Sequence, residues 1–350
     1  MSSGNCRLFT ARAGCVFPDA ASLLCGLFLL AAAPLGAVPA PEKVQGPASC
    51  AECHPQEIEA WKTTKHFKSL HLEHRSPEAA QIIAKLGIQP MKAEASCVAC
   101  HYLTKSSAEG PKIVALACES CHGAAADWIK IHGDYGIGVK KETESAKHRA
   151  KRRAESLLAG MIIADDVYAL GRNCYSCHVL TDEKMANVGG HSVGTEPFNL
   201  VSWTQGEIRH NLLGDEHRHN PEATPDNKRR MLAIGWILET EFCIRATARA
   251  TEKATYGVTY AKRADAARKM LVKIQALAPT PQLAAIIEVA KPAALKLNNA
   301  ADLNVAADRL AALGRAFADQ VTGAQLAPLD ALLPGADTYK GTPYQVATAP

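Results

Sequence analysis

Aromatic side chains are scarce in this sequence. Phe, Trp and Tyr make up 5% of its 350 residues, a thin filling for the two or three domains that this length predicts. Flat apolar mass from another source is expected. No charge of one sign dominates: the net charge is +4, too small to argue for nucleic acid as a partner. Hydrophobic residues at 47% and charged residues at 21% exclude wholesale disorder. A long membrane-spanning run is also missing. The apolar stretch 20–33, broken only by Ser22, falls short of the ~20 residues that cross a bilayer. Arg7 and Arg12 precede it and the small residues Ala37 and Ala40 follow. Residues 1–40 therefore read as a signal peptide for export to the periplasm, with cleavage favoured after Ala37 because Pro41 hinders the later site. Membrane attachment is expected only if this leader stays uncleaved.

Cysteine and histidine, by contrast, are abundant, at 12 and 13 residues. Cys6, Cys15 and Cys25 belong to the leader. Eight of the remaining nine form four pairs, each followed at once by histidine: Cys50-Ala-Glu-Cys53-His54, Cys97-Val-Ala-Cys100-His101, Cys118-Glu-Ser-Cys121-His122 and Cys174-Tyr-Ser-Cys177-His178. This is the covalent attachment signature of c-type haem. Residues i and i+3 lie on one side of a helical turn, so two thiols reach the two vinyl groups on one edge of a porphyrin, and the next residue brings an imidazole under the iron. Cys₄ zinc sites and disulfides are the rival uses of such pairs. Both leave the four trailing histidines without a role. Four covalent haems are expected, and with them the missing flat apolar mass.

Each iron then needs a sixth ligand. Methionine is sparse, whereas nine histidines lie outside the motifs: His66, His71, His74, His132, His148, His191, His210, His217 and His219. Bis-His ligation is the favoured reading. The segment 56–72 reads as one helix, with Ile58, Trp61 and Lys65 on one side. Twelve helical residues span ~18 Å, whereas two imidazoles on one iron sit only about 4 Å apart, twice a metal–imidazole bond. His66 should therefore reach a haem other than the one on His54, and His132 one other than that on His122. His71 and His74 read as solvated. His148 lies in a basic run, Lys140, Lys141, Lys147, Arg149, Lys151, Arg152 and Arg153, which is either a solvated helical face or a docking face for an acidic redox partner.

The run from Cys50 to His54 through Trp61-Lys62-Thr63-Thr64-Lys65-His66 resembles the multihaem cytochrome c family that includes the tetrahaem electron acceptor of hydroxylamine oxidoreductase. So does Cys118-Glu-Ser-Cys121-His122-Gly123 with His132 ten residues on. The likeness covers roughly residues 45–220 and loosens after His178. It implies that His132 serves the first haem and His66 the fourth, and that a later histidine serves the third: His210, or His219 as the alternative. It also implies that the second haem lacks a sixth protein ligand. The glycine-rich stretch Gly189-Gly190-His191-Ser192-Val193-Gly194 departs from the pattern. His191 either closes the second haem or is an exposed loop residue. A closed haem argues for electron transfer; an open one leaves room for an enzyme acting on a small nitrogen or sulfur compound.

Beyond residue 222 the motifs stop and alanine dominates. Helices are expected from Asn227 to about Ala254, from Arg263 to Ala276, after the Thr280-Pro281 cap and from Asp302 to Val321, where Leu303, Ala306, Leu310, Leu313 and Phe317 step by three and four. Cys243 reads as a buried thiol. The expected fold is mainly α: a tetrahaem cytochrome c domain over 41–222 with few or no strands, an α-helical bundle over 223–333, and a tail over 334–350. The favoured function is a carrier moving electrons between redox partner proteins, ahead of a catalyst.

Overall fold

The computed structural model describes residues 39–194, 196–213 and 218–346. The leader, apart from its last two positions, and His217 lie outside the described residues. Helix dominates the described residues. The only strand pairing among the described residues is a short antiparallel hairpin of β1 (Leu103–Lys105) and β2 (Lys112–Val114).

The first part is a string of short helices: α1 (Ala48–Ala51), α2 (Pro55–Thr63), α3 (Lys65–Leu72), α4 (Pro77–Leu86), α5 (Ala95–His101), α6 (Cys118–His122), α7 (Ile129–His132), α8 (Ala146–Leu158), α9 (Val167–His178) and α10 (Leu200–Thr204). The helix expected over 56–72 is broken. Thr64 is extended, and its side chain accepts the N–H of Phe67, so a hydroxyl that caps a new helix interrupts the old one. His66 therefore leaves α2 on a separate rod.

The second part comprises α11 (Pro225–Arg249), α12 (Thr255–Leu277), α13 (Pro281–Ala290) and α14 (Ala300–Gln320), followed by a 3-10 segment, Ala324–Leu332. Thr280 caps α13 by accepting from Leu283 N, with Pro281 at the first helical position. The helix ends before Pro292, whose ring could not continue it. At Gly314 a Cβ would come within 2.9 Å of both Ile237 and Tyr168, so α14 lies flush against α11 and α9.

Apolar burial is uneven. The main core runs from Val167 on α9 through α11–α14 to Leu329, on both sides of residue 222. The region before it has only two thin clusters, around Met91, Cys97, Tyr102 and Met185 and around Val44, Leu103 and Ala117. Where the first three Cys-x-x-Cys-His motifs lie, protein side chains alone make little core. Within 335–346 the backbone meets the rest of the chain: Lys340 donates its N–H to Ser202 O and accepts from Glu207 N.

Candidate haem sites

Local hydrogen bonding shapes each motif into a turn of helix. The second, third and fourth lie wholly within α5, α6 and α9. The first straddles the end of α1, where His54 N donates to Cys50 O over 2.9 Å. Both thiols of each motif thus share a face, with the imidazole one step beyond.

Tertiary structure pairs every motif histidine with a distant one. Ring centroids lie 6.3 Å apart for His54 and His132, with rings 17° from parallel. The separations are 6.4 Å for His66 and His178, 6.2 Å for His101 and His191, and 6.2 Å for His122 and His210. A metal bound at ~2 Å by two opposed imidazoles, each nitrogen about 1 Å from its ring centre, sets centroids about 6 Å apart. The four pairs fall at that span. Among the described residues no group of three or more His, Cys, Asp or Glu side chains forms a metal cage. Two opposed imidazoles leave the equatorial positions to a macrocycle, so the donor set fits haem.

Imidazole orientation is fixed on one nitrogen. The Nδ1 of His122 lies 2.8 Å from Ile162 O, that of His210 2.7 Å from Ile208 O, and that of His191 2.8 Å from Ser192 O. A carbonyl only accepts, so Nδ1 carries the proton and Nε2 offers its lone pair. His54 Nδ1 lies 3.8 Å from Glu57. Burial lowers the pKa of His66, His101 and His122. It pushes His178, with His66 beside it, down to about 4, and His132, with His54 and Arg152 beside it, also to about 4. All five are held neutral, the state a metal ligand needs.

Thiols also meet across motifs. The neighbouring Cys118, with burial, raises the pKa of Cys50; Cys177 and burial raise that of Cys100, and Cys177 is lowered to about 7 chiefly by the neighbouring Cys100. The first motif thus adjoins the third, and the second adjoins the fourth.

Three side chains that the spacing of motifs gave no reason to single out hold this arrangement. Buried Glu119, inside the third motif, accepts from the N–H groups of Gln45, Gly46 and Ala125 at 2.7–2.8 Å. Arg152 donates to the carbonyl of His132 and to Glu144. Arg263, on α12, donates to Val193 O over 2.9 Å, two residues past His191. Trp61 donates to Leu116 O over 2.8 Å, two residues before Cys118.

His71 and His219 are exposed. His148 sits against Glu144 at 2.8 Å. His74 is half-buried, with a buried Nδ1 that has no hydrogen-bond partner, so the expectation of a solvated residue fails there. Cys243 is fully buried against Glu239.

Residues 49–123 match the family model of cytochrome c554 and c-prime. The chain resembles the cytochromes c554. Among curated proteins, cytochrome c-554 of Nitrosomonas europaea is 29% identical over 110 residues, which cover 28% of this chain and 45% of that one. The chain thus spans less than half the length of this relative. No solved structure gives a significant match. The resemblance to cytochrome c554 implies covalently attached c-type haem. The family-model match takes in the first three motifs, with Trp61 and His66, and ends before His132.

Proposed function

We propose that the protein is an exported tetrahaem c-type cytochrome that carries electrons between redox partner proteins in the periplasm. The carrying observation is the set of four imidazole pairs at 6.2–6.4 Å. Each joins a motif histidine to one from another segment. Haem bound at each pair would supply an iron that gains and loses one electron.

The chain's own residues do the rest. Cys50 and Cys53, Cys97 and Cys100, Cys118 and Cys121, and Cys174 and Cys177 would hold the four haems through thioether bonds. His54 with His132, His101 with His191, His122 with His210, and His178 with His66 would supply the histidine ligands of each iron. Imidazole on both sides favours lower potentials than a His–Met pair. The thiol neighbours Cys50–Cys118 and Cys100–Cys177 favour two adjoining pairs of haems, a short path for electrons.

The rival reading is an enzyme with one open iron on Cys97, Cys100 and His101. His191 beside His101 argues against it, because an open coordination position is what a small substrate needs. Among the described residues no helix is long and apolar enough to cross a membrane.

Denaturing mass spectrometry of the purified protein tests the cofactor count: the expected mass is that of the processed chain plus four haems. Electron paramagnetic resonance tests ligation, with only low-spin ferric signals expected. A high-spin haem, or steady reduction of nitrite or hydroxylamine with an artificial donor, would overturn the carrier reading.

A further inference from the structure

The C-terminal region shares no motif with the haem region, yet it grips two of the segments that carry distal histidines. Arg263 is 3% exposed and lies in a bundle core. Two of its nitrogens bind Glu239, at 2.7 and 3.0 Å. The third leaves the bundle altogether and donates to Val193 O at 2.9 Å and Gly194 O at 3.3 Å. The stretch it holds is soft by composition. Gly190 and Gly194 both have positive φ, +84° and +64°; on the upstream side His191 N donates to Met185 O at 3.1 Å, and on the downstream side the Arg263 fork holds the loop. A buried ion pair is weak evidence for stability, since apolar residues of similar volume often serve as well. A guanidinium fork that fixes a glycine-rich loop has a geometric purpose that such residues would lack.

A second contact works on His210. Lys340 pairs through its backbone with Ser202 and Glu207 at 2.9 and 2.8 Å. A Cβ on Gly206 would sit 2.1 Å from Lys340 O, so the two backbones touch. Asn220 then donates to both Arg209 O and Tyr344 O, at 2.8 and 3.0 Å, and the Tyr344 hydroxyl reaches Gln56 on α2 at 3.3 Å. The strap over 339–344 thus ties the His210 segment to the helix that follows His54.

We propose that the C-terminal region is a brace for axial ligands: the Arg263–Glu239 fork holds His191 against the second haem, and the 339–344 strap holds His210 against the third. Arg263 is a positioning residue in this scheme and touches neither haem nor iron. The proposal rests on the ligation given above, and its test separates the two.

The test is the spin state of the oxidised, fully haem-loaded chain, read by electron paramagnetic resonance and by carbon monoxide binding after reduction. His191→Ala and His210→Ala serve as references, each expected to convert one of four haems to high spin. The double variant Arg263→Leu/Glu239→Leu removes both buried charges together and the grip with them. Its expected spectrum contains the His191→Ala high-spin signal in part of the population. Arg263→Lys keeps the charge beside Glu239 without the fork and should give a smaller fraction of the same signal. Gly206→Ala, which pushes Lys340 away, should give the His210→Ala signal instead. If the histidine variants change the spectrum while the Arg263→Lys and Gly206→Ala proteins keep the wild-type one, the brace is wrong and the ligation stands. If the histidine variants change nothing, both fall.

Discussion

At the residue scale, the distal histidines make the sharpest claims. His132 lies opposite His54, with near-parallel rings. His132→Ala should leave a single high-spin haem and open one carbon monoxide site in the reduced protein; an unchanged low-spin spectrum would count against the pair. The four Cys-x-x-Cys-His motifs are legible in the sequence, and each folds as expected, because the pattern is local: thiols three apart and an imidazole next to them need only one helical turn. Distal partners are harder. The family resemblance pointed His132 and His66 to the first and fourth haems, but His191 stood equally well as a loop residue. What sets it beside His101 is a fold contact that starts on α12. Thr64 is a different kind of miss. Its hydroxyl competes for the backbone, and a pattern of apolar residues does not register that competition.

At the element scale, α8 shows a helix held by charge. Its one buried position is Ser156, and it is anchored where Arg152 meets Glu144 at 2.8 Å and the carbonyl of His132. His148 and Arg149 face the same carboxylate. Arg152, with His148, holds the Glu144 carboxyl down from 4.5 to about 2. The unfolded carboxyl takes up a proton as pH falls through its ordinary value, while the folded one stays ionised. Glu144 therefore contributes its full share above about pH 4.5 and loses it as pH falls toward about 2. Hydrogen exchange should show α8 opening over this range in the wild type. Glu144→Gln should start with weaker protection at neutral pH and lack that part of the acid dependence. In the bundle, the flush fit at Gly314 predicts that Gly314→Val overpacks against Ile237 and Tyr168. A loss of about 1–3 kcal/mol is expected, measurable as a lowered melting temperature with haem content unchanged.

Across the whole molecule, core and cofactor divide the work. The main apolar cluster begins at Val167, and the region before it has two thin ones. A chain with the eight motif cysteines changed to alanine should keep hydrogen-exchange protection in α11–α14 and lose it across 41–166. Uniform protection would show that the haem region folds without its cofactor. The scarcity of aromatics in the sequence already hinted at this division, whereas the bundle's extension onto α9 and α10 did not show, because it depends on which faces meet. Charge is divided too. Residues 140–158 hold seven Lys and Arg against three Glu, a surplus equal to the net +4 of the whole chain. Lys140, Lys141 and Lys147 are exposed. Oxidation of the reduced protein by anionic hexacyanoferrate should therefore slow as salt rises through the ~10 Å screening length reached near 0.1 M. Cationic hexaammineruthenium should not slow, and Lys140→Glu/Lys147→Glu should narrow the gap between the two.

The four imidazole pairs also have a consequence in time. The links 54–132, 66–178, 101–191 and 122–210 all cross one another, and every one of them passes over residues 123–131. A chain emerging from its amino end can complete no link before His132 is out, and it lacks two of them until His191 and His210 follow. Haem loaded onto the first three motifs would meanwhile wait with one face uncovered. Once the last link closes, the order of synthesis is erased. A single nick between His122 and His132 would then leave two fragments laced together through iron, each holding one end of all four links.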